Sequence, residues 1–276
     1  MARTSAISLI ASGTLKAELK ELYGYVIGNV QKQTLANSLK SQEYTGNPAA
    51  GSVEFRRFAN SKSKAYGTAR STGKGDAIQA PPIPVNLSVH KEIVEEAAKF
   101  DIDTFGIGNL MVRRVDNHSL TMSSELDGAF FEAAFADGTD FTPAETAFED
   151  ILEENIQALE TVNNDFVRGV PRSIMNMVCS TSFFGKIRNY LDTKPNPNVD
   201  TAAEGFGVFH GVKVYSHINV PLTRKATLMI DGAIAQPVVS YQYTEPEKIP
   251  LSNDYGVGLF YDYGTKVLTP DLVFNY

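Results

Sequence analysis

Few residues in this chain stand at spacings that chemistry needs. Asp101 and Asp103 form an Asp-x-Asp pair, two carboxylates that could hold a divalent ion through a substrate diphosphate. The same pair serves equally to cap a following helix. Residues 67–75, Gly-Thr-Ala-Arg-Ser-Thr-Gly-Lys-Gly, imitate a phosphate-binding loop. Five residues separate the first two glycines where four are required, Gly75 stands where a magnesium-binding Ser or Thr belongs, and no buried strand precedes. The segment therefore reads as a loop tip. Gly205-Phe206-Gly207 is followed by Gly211 and leads into a strand, whereas a dinucleotide fingerprint needs a glycine three positions on and opens a helix. Ser61 and Lys64 satisfy a Ser-x-x-Lys pattern, but a polar loop would not desolvate the lysine.

Metal and thiol chemistry have little material. The chain has four histidines and one cysteine. His210 and His217 are seven residues apart and on one strand would point to opposite faces, so they could not share an ion. His90 and His118 have no Cys or His nearby, and each reads as a structural residue. Cys179 ends the apolar run 174–178, where a buried thiol is the default reading and a nucleophile would need a placed histidine. No nucleophile or acid is coupled to a partner at a working spacing. The expectation is a protein that is not an enzyme and has no catalytic residue, cofactor or metal.

The composition supports this. A chain of 276 residues that is 43% hydrophobic and 21% charged can bury a core and form one large or two ordinary domains. A net charge of -7 argues against a surface built to grip nucleic acid. A single cysteine forms no intramolecular disulfide. The first ten residues lack the apolar core of a signal peptide, and no run approaches the ~18 apolar residues of a membrane span. The expected place of synthesis is the cytosol.

Charge is segregated along the chain. Residues 54–76 carry six basic side chains against two acidic ones, a net +4, whereas residues 92–160 carry seventeen acidic against three basic. Two solvated faces would account for this, and so would complementary surfaces on neighbouring copies.

The elements that would position these charges follow from periodicity. Residues 14–39 have Leu15, Leu19, Leu22, Val26 and Val30 at helical spacing. Val53 and Phe55 alternate with Glu54 and Arg56 as one arm of a strand pair, and Val85, Leu87 and Val89 form the other. The polar stretch 60–79 between them cannot bury itself, so a hairpin of about 40 residues should stand away from its own domain. Met111, Val115, His118, Met122, Leu126 and Phe130 predict a helix over residues 105–136, with Asn117-His118-Ser119 as a candidate break. Thr142-Pro143-Ala144-Glu145 matches a capping box, starting a helix with Phe148, Ile151, Leu152, Leu159 and Val162 inward and Glu149, Glu153, Glu154 and Glu160 outward. A buried strand over 172–178, a helix from Thr181, strands over 207–214 and 226–230, and an antiparallel set over 238–243, 256–263 and 265–274 complete an α+β chain.

The order of these segments resembles the major capsid proteins of tailed bacteriophages, whose fold encapsulin shells share. The basic hairpin 50–89 is similar to the family's extended loop, and residues 105–136 to its long spine helix. Val178-Cys179-Ser180-Thr181-Ser182-Phe183-Phe184-Gly185-Lys186-Ile187-Arg188 resembles its strand-to-helix step in the axial domain. The strand Phe209-His210-Gly211-Val212-Lys213-Val214-Tyr215-Ser216, followed by Val220-Pro221, and the closing stretch 255–276, with Tyr263-Gly264 and Pro270, are similar to further family patterns.

The resemblance implies a tailed-phage capsid fold with an N-terminal arm (1–45), an extended β-hairpin loop (46–90), a peripheral domain with the spine helix (91–137 and 241–276) and an axial domain (138–240). It implies a shell-forming subunit, assembled as hexamers and pentamers into an icosahedral head around double-stranded DNA, located in the virion capsid and assembled in the host cytoplasm. The short arm leaves scaffolding to a separate protein or to none, a portal is a further partner, and no membrane is involved. The expected inter-subunit residues are Arg56, Arg57, Lys62, Lys64 and Arg70 on the loop and Glu149 and Glu153 on the acidic body. An encapsulin-like nanocompartment shell and a cytosolic metal-dependent enzyme using Asp101 and Asp103 are the alternatives.

Overall fold

The computed structural model describes residues 35–43, 47–68, 76–99, 107–193, 207–221, 223–241 and 247–276. In chain order its elements are α1 (Leu35–Leu39), β1 (Ser52–Arg56), β2 (Pro82–Asn86), β3 (Val89–Ala97), α2 (Ile107–Asp137), β4 (Thr139–Asp140), α3 (Phe148–Glu160), β5 (Met175–Cys179) and α4 (Thr181–Thr193). They continue as β6 (Val208–Phe209), β7 (Val212–Ser216), β8 (Ala226–Ile230), β9 (Ile234–Ala235), β10 (Val238–Tyr241), β11 (Glu247–Lys248), β12 (Tyr255–Tyr263), β13 (Lys266–Val267) and β14 (Val273–Asn275). The chain divides into two compact units: Met1–Ser38, Asn86–Ala129 and Pro237–Gly264 form the first, and Leu39–Val85, Phe130–Gln236 and Thr265–Tyr276 the second. Apart from α1, the predicted helix 14–39 lies outside the described residues.

In the first unit β12 is the central strand. It pairs antiparallel with β3 along its whole length, with β10 over Phe260 to Tyr263 and with β11 at Tyr255 and Gly256. Alternation directs Leu259, Tyr261 and Tyr263 inward, all three being buried. Glu125 of α2 ties the sheet down, accepting hydrogen bonds from Tyr261 Oη at 2.6 Å and Tyr263 Oη at 3.3 Å and an ion pair from Lys91 Nζ at 2.9 Å. Burial pushes the Glu125 carboxyl up, but these hydrogen bonds outweigh it and hold it below its ordinary range.

Helix α2 is continuous for 31 residues, about 46 Å at ~1.5 Å per residue. Asn117-His118-Ser119 does not break it. Thr121 Oγ1 donates back to the Asn117 carbonyl at 3.0 Å, and the buried His118 sets Nε2 3.1 Å from Glu95 of β3. His118, Met122, Leu126 and Phe130 are buried on the predicted stripe. Asp127, also buried, accepts the Ala36 N–H at 3.0 Å and so satisfies a free donor at the start of α1.

The second unit is built on a six-stranded sheet in the order β4-β14-β8-β5-β7-β6. Central strand β5 is buried at every position and pairs parallel with β7 and antiparallel with β8. Leu152, Ile156 and Leu159 of α3 and Phe183 and Ile187 of α4 pack with Met175, Met177, Cys179, Val212, Val214, Ala226 and Leu228 in one core. At ~25 cal/mol per Å2, burial of side chains this large is what holds the two helices in place.

Four local expectations need correction. Thr142 does not cap α3, which starts at Phe148 after Ala147. The Glu154 carboxylate instead accepts the N–H groups of Ala144 (3.0 Å) and Glu145 (3.2 Å), so 144–145 serve as a tether and not as a first turn. The predicted strand 207–214 is a tight hairpin, β6 and β7 joined at His210 (φ 49°) and Gly211 (φ 85°), two left-handed residues of the kind a two-residue hairpin turn requires. Residues 265–274 do not extend the antiparallel set of the first unit. Pro270 breaks them into β13, a 3-10 turn and β14, and β14 pairs with β8 and β4. Thr265–Tyr276 falls in the second unit, together with residues 130–137 and apart from 91–129.

Candidate functional site

The base of the basic hairpin forms, but its second arm lies earlier than the alternation predicts, over Pro82–Asn86, while Val89 opens β3 and pairs with β12. β1 and β2 pair, with Val53, Phe55 and Val85 buried in a small core with Ala235. Beyond β1 the chain does not simply stand away. The Arg57 guanidinium forms a fork on Asp271, Nη1 to Oδ1 at 2.7 Å and Nη2 to Oδ2 at 2.8 Å, and lies over the Phe166 ring 4.5 Å from its centroid. Asn164 Nδ2 donates to the same carboxylate at 2.6 Å. Asn60 donates its N–H to the Asp165 carbonyl at 2.8 Å, and Lys62 Nζ lies 3.2 Å from Asp165 Oδ1. Burial pushes the Asp271 carboxyl up, but the hydrogen bonds from Arg57 and Asn164 keep it below its ordinary range.

The remaining predicted interface residues are placed differently. Arg56 is half exposed and lies 3.7 Å from Glu54 of its own strand. Lys64 pairs with Asp76 at 2.6 Å across the two arms of the hairpin. Arg70 lies outside the described residues. Glu149 stands in the first turn of α3, partly buried. Surface pairs such as those of Arg56, Lys62 and Lys64 contribute ~0–1 kcal/mol and re-form readily with other partners.

Two of the expected contact residues, Arg57 and Glu153, are committed inside the subunit. Glu153 accepts Arg172 Nη2 at 2.6 Å and His210 Nδ1 at 2.7 Å, while Arg172 also reaches Glu160 Oε2 at 3.0 Å. The Arg172 hydrogen bond, opposed by burial and aided by His210 and Gln157, draws the Glu153 carboxyl down to about 2. Such a network holds α3 against the His210 turn, and an outward-facing Glu153 was expected only because helical periodicity carries no information on what crosses the exposed face.

The chemical candidates stay apart. Asp101 and Asp103 lie outside the described residues. Cys179 is buried and its thiol is pushed up by desolvation, the setting of an inert core cysteine. His90 Nδ1 meets Asp262 at 2.7 Å, and the His217 ring packs on Phe131 at 4.9 Å. Among the described residues no group of three or more His, Cys, Asp or Glu is arranged to hold a metal ion, and no helix is long and apolar enough to cross a membrane.

Sequence reasoning missed three kinds of residue. Asp271 and Asn164 lie 214 and 107 residues from the partners that define their role, and no local pattern marks them. The turn 163–168 is drawn together by Asn164, whose Oδ1 accepts the N–H groups of Phe166 and Val167, each at 2.8 Å. The hairpin also carries exposed apolar side chains: Phe58, Tyr66 and Ile78 are 64%, 92% and 86% exposed. Scattered through a polar stretch, they form no periodic signal in the sequence.

No protein-family model matches the chain, and no curated protein does either. Solved structures do. A structure from Mycobacterium phage Che8 superposes with a TM-score of 0.62 at 15% identity, over 88% of this chain and 90% of that one. The capsid of Cyanophage P-SCSP1u does so at 0.61 and 12% identity, over 88% and 87%. The chain has the tailed-phage capsid fold. A virus-like particle from Pyrococcus furiosus is also similar, with a TM-score of 0.57 at 10% identity, over 95% of this chain and 99% of that one.

Proposed function

We propose that this chain is a major capsid protein, a structural subunit whose copies assemble as hexamers and pentamers into an icosahedral head enclosing double-stranded DNA. The observation that carries the reading is similarity in fold to a phage capsid over 88% of this chain and 87% of that one. The charge segregation supports it. A loop bearing Arg56, Lys62, Lys64 and Arg70, with Phe58, Tyr66 and Ile78 exposed between them, suits an acidic neighbouring copy in which Glu149 belongs to the receiving surface. An acidic subunit can contain DNA without binding it through counterion release when the DNA is driven in by a motor.

In this reading residues 1–45 are an arm, 46–90 the extended loop, 91–137 with 241–264 the peripheral domain, and 138–240 with 265–276 the axial domain. A portal and a separate scaffolding protein are its natural partners, and the virion is where it resides after assembly in the host cytoplasm. Electron microscopy of the purified protein tests the reading: closed shells or six- and five-membered rings are expected, and a dispersed monomer at high concentration would refute it. The coverage of the Pyrococcus furiosus particle subunit favours one second reading, a compartment shell of the encapsulin kind. Nuclease-resistant DNA in particles from infected cells separates the two; a packaged enzyme in its place supports the second.

A further inference from the structure

Arg57 stands in the basic loop, yet its charge is consumed within its own subunit. We propose that Arg57, Asp271 and Asn164 form a clamp that fixes the angle at which the extended loop leaves the second unit, making Arg57 a positioning residue for assembly and not a contact with the neighbour. The inference rests on the capsid reading and adds a step that precedes any contact between copies.

Both jaws of the clamp are anchored. Asp271 sits in the 3-10 turn Pro270–Leu272, whose Leu272 is buried in the core. On the other side the turn 163–168 closes on itself through Asn164 N–H to the Val167 carbonyl at 2.8 Å and Gly169 N–H to the Val162 carbonyl at 2.8 Å. Arg57 and Asp271 are partly buried, at 19% and 30% exposure, and their two short parallel hydrogen bonds fix orientation as well as distance. Asn164 holds the plane of the carboxylate, and Phe166 lies under the guanidinium. Three residues on, the Asn60 to Asp165 backbone bond adds a second point of attachment, and the Ala59 N–H to the Gln79 carbonyl at 3.0 Å binds the opposite arm to the held one. Two separated points define a direction, which a single ion pair would not.

Leverage explains the need. Past Lys62, Lys64 pairs with Asp76 and Thr68 with Ala65, both contacts within the loop itself. At ~3.3 Å per residue the nine residues from Arg57 to Tyr66 reach up to about 30 Å, so a swing of about 10° at the base displaces the tip by about 5 Å. Within a ring of symmetry-related copies each loop must meet its neighbour in the same way, so a random spread of that size opposes closure.

The test compares the unassembled subunit with the assembled one. Spin labels at Ser63→Cys and Lys186→Cys, with buried Cys179 unlabelled, report the loop angle. Arg57→Ala should broaden their distance distribution about twofold and cut shell yield about tenfold, and an Asn60→Cys, Asp165→Cys disulfide added to Arg57→Ala, without labels, should restore the shells. Asp271→Asn serves if Arg57→Ala yields no folded subunit. In the unaltered protein the Asn60 amide should be protected from hydrogen exchange, and an unprotected Asn60 overturns the clamp whatever the variants do. An unchanged label distribution in folded Arg57→Ala, or shells lost and not regained by the disulfide, also overturns it. If the unaltered chain makes no shells, the capsid reading fails, and the label and exchange data judge the clamp alone.

Discussion

The hydroxyl of Tyr261 donates a 2.6 Å hydrogen bond to Glu125, joining the nine-residue strand β12, two residues from its end, to helix α2 across 136 residues of sequence. Tyr261 is almost fully buried, and its own proton is held more tightly because burial and the neighbouring carboxylate both oppose a phenolate. Tyr261→Phe keeps the ring and removes the donor. It should cost about 2 kcal/mol in urea unfolding at neutral pH, since the acceptor left behind is charged and partly buried. Glu125 ionises more readily in the folded state than when unfolded, so its stabilisation is complete above the unfolded carboxylate range and is lost as pH falls through the folded value. The difference between the two proteins should accordingly shrink in acid.

A sharper acid response belongs to Glu153. Its carboxyl falls from 4.5 to about 2 through the hydrogen bond with Arg172, so the stability it supplies is fully present above pH 4.5 and disappears between there and about 2. Arg172→Met should destabilise the second unit by about 1 kcal/mol at pH 7, a figure reduced for the solvent that reaches both side chains. Near pH 2 it should match the parent. Thermal melts at the two pH values decide this, and an equal deficit at both would place the role of Arg172 in packing.

Much of this architecture was legible because it is local. The alternation of Val53 and Phe55 marked β1, the stripe from His118 to Phe130 marked α2, and the apolar run before Cys179 marked β5. What stayed hidden is non-local. Thr142-Pro143-Ala144-Glu145 has the letters of a cap, but Glu154, nine to ten residues on, takes those amides first. Val89–Ala97 mixes Lys91, Glu92, Glu95 and Glu96 with a few apolar residues and becomes a strand through pairing with β12 more than 150 residues later. The partners of Arg57 and Glu153 inside the subunit stayed hidden for the same reason: charge counts locate basic and acidic segments, whereas the pairing with Asp271 and Arg172 is non-local.

Gly264 offers a test of close packing. A Cβ there would overlap the Asn86 carbonyl and crowd the Leu87 Cα, both backbone atoms that cannot rotate away. Gly264→Ala should therefore force the end of β12 from the chain that enters β3, at a cost of about 2 kcal/mol or more. Gly185→Ala makes the control. It sits in α4 with open space where the methyl group would go, and alanine has the better helix propensity, so a small gain of up to ~1 kcal/mol is expected. Denaturant midpoints for the two variants should move in opposite directions.

The loop charges can be separated from the clamp. Arg56, Lys62 and Lys64 are exposed and, among the described residues, pair with surface acids of their own chain, so reversing all three to Glu should leave the melting temperature within a few degrees of the parent. Arg57 is kept, and with it the loop angle. If these cations meet an acidic neighbouring copy, the triple variant places like charges opposite one another and shells should not form at low salt. Raising the salt shortens the Debye length from about 10 Å at 0.1 M to about 3 Å at 1 M, which should partly restore assembly of the variant while weakening that of the parent. Sedimentation velocity across the salt series reads both. Shells of normal yield from the triple variant at low salt would remove the loop's charge from the assembly mechanism and leave Phe58, Tyr66 and Ile78 as its contact groups.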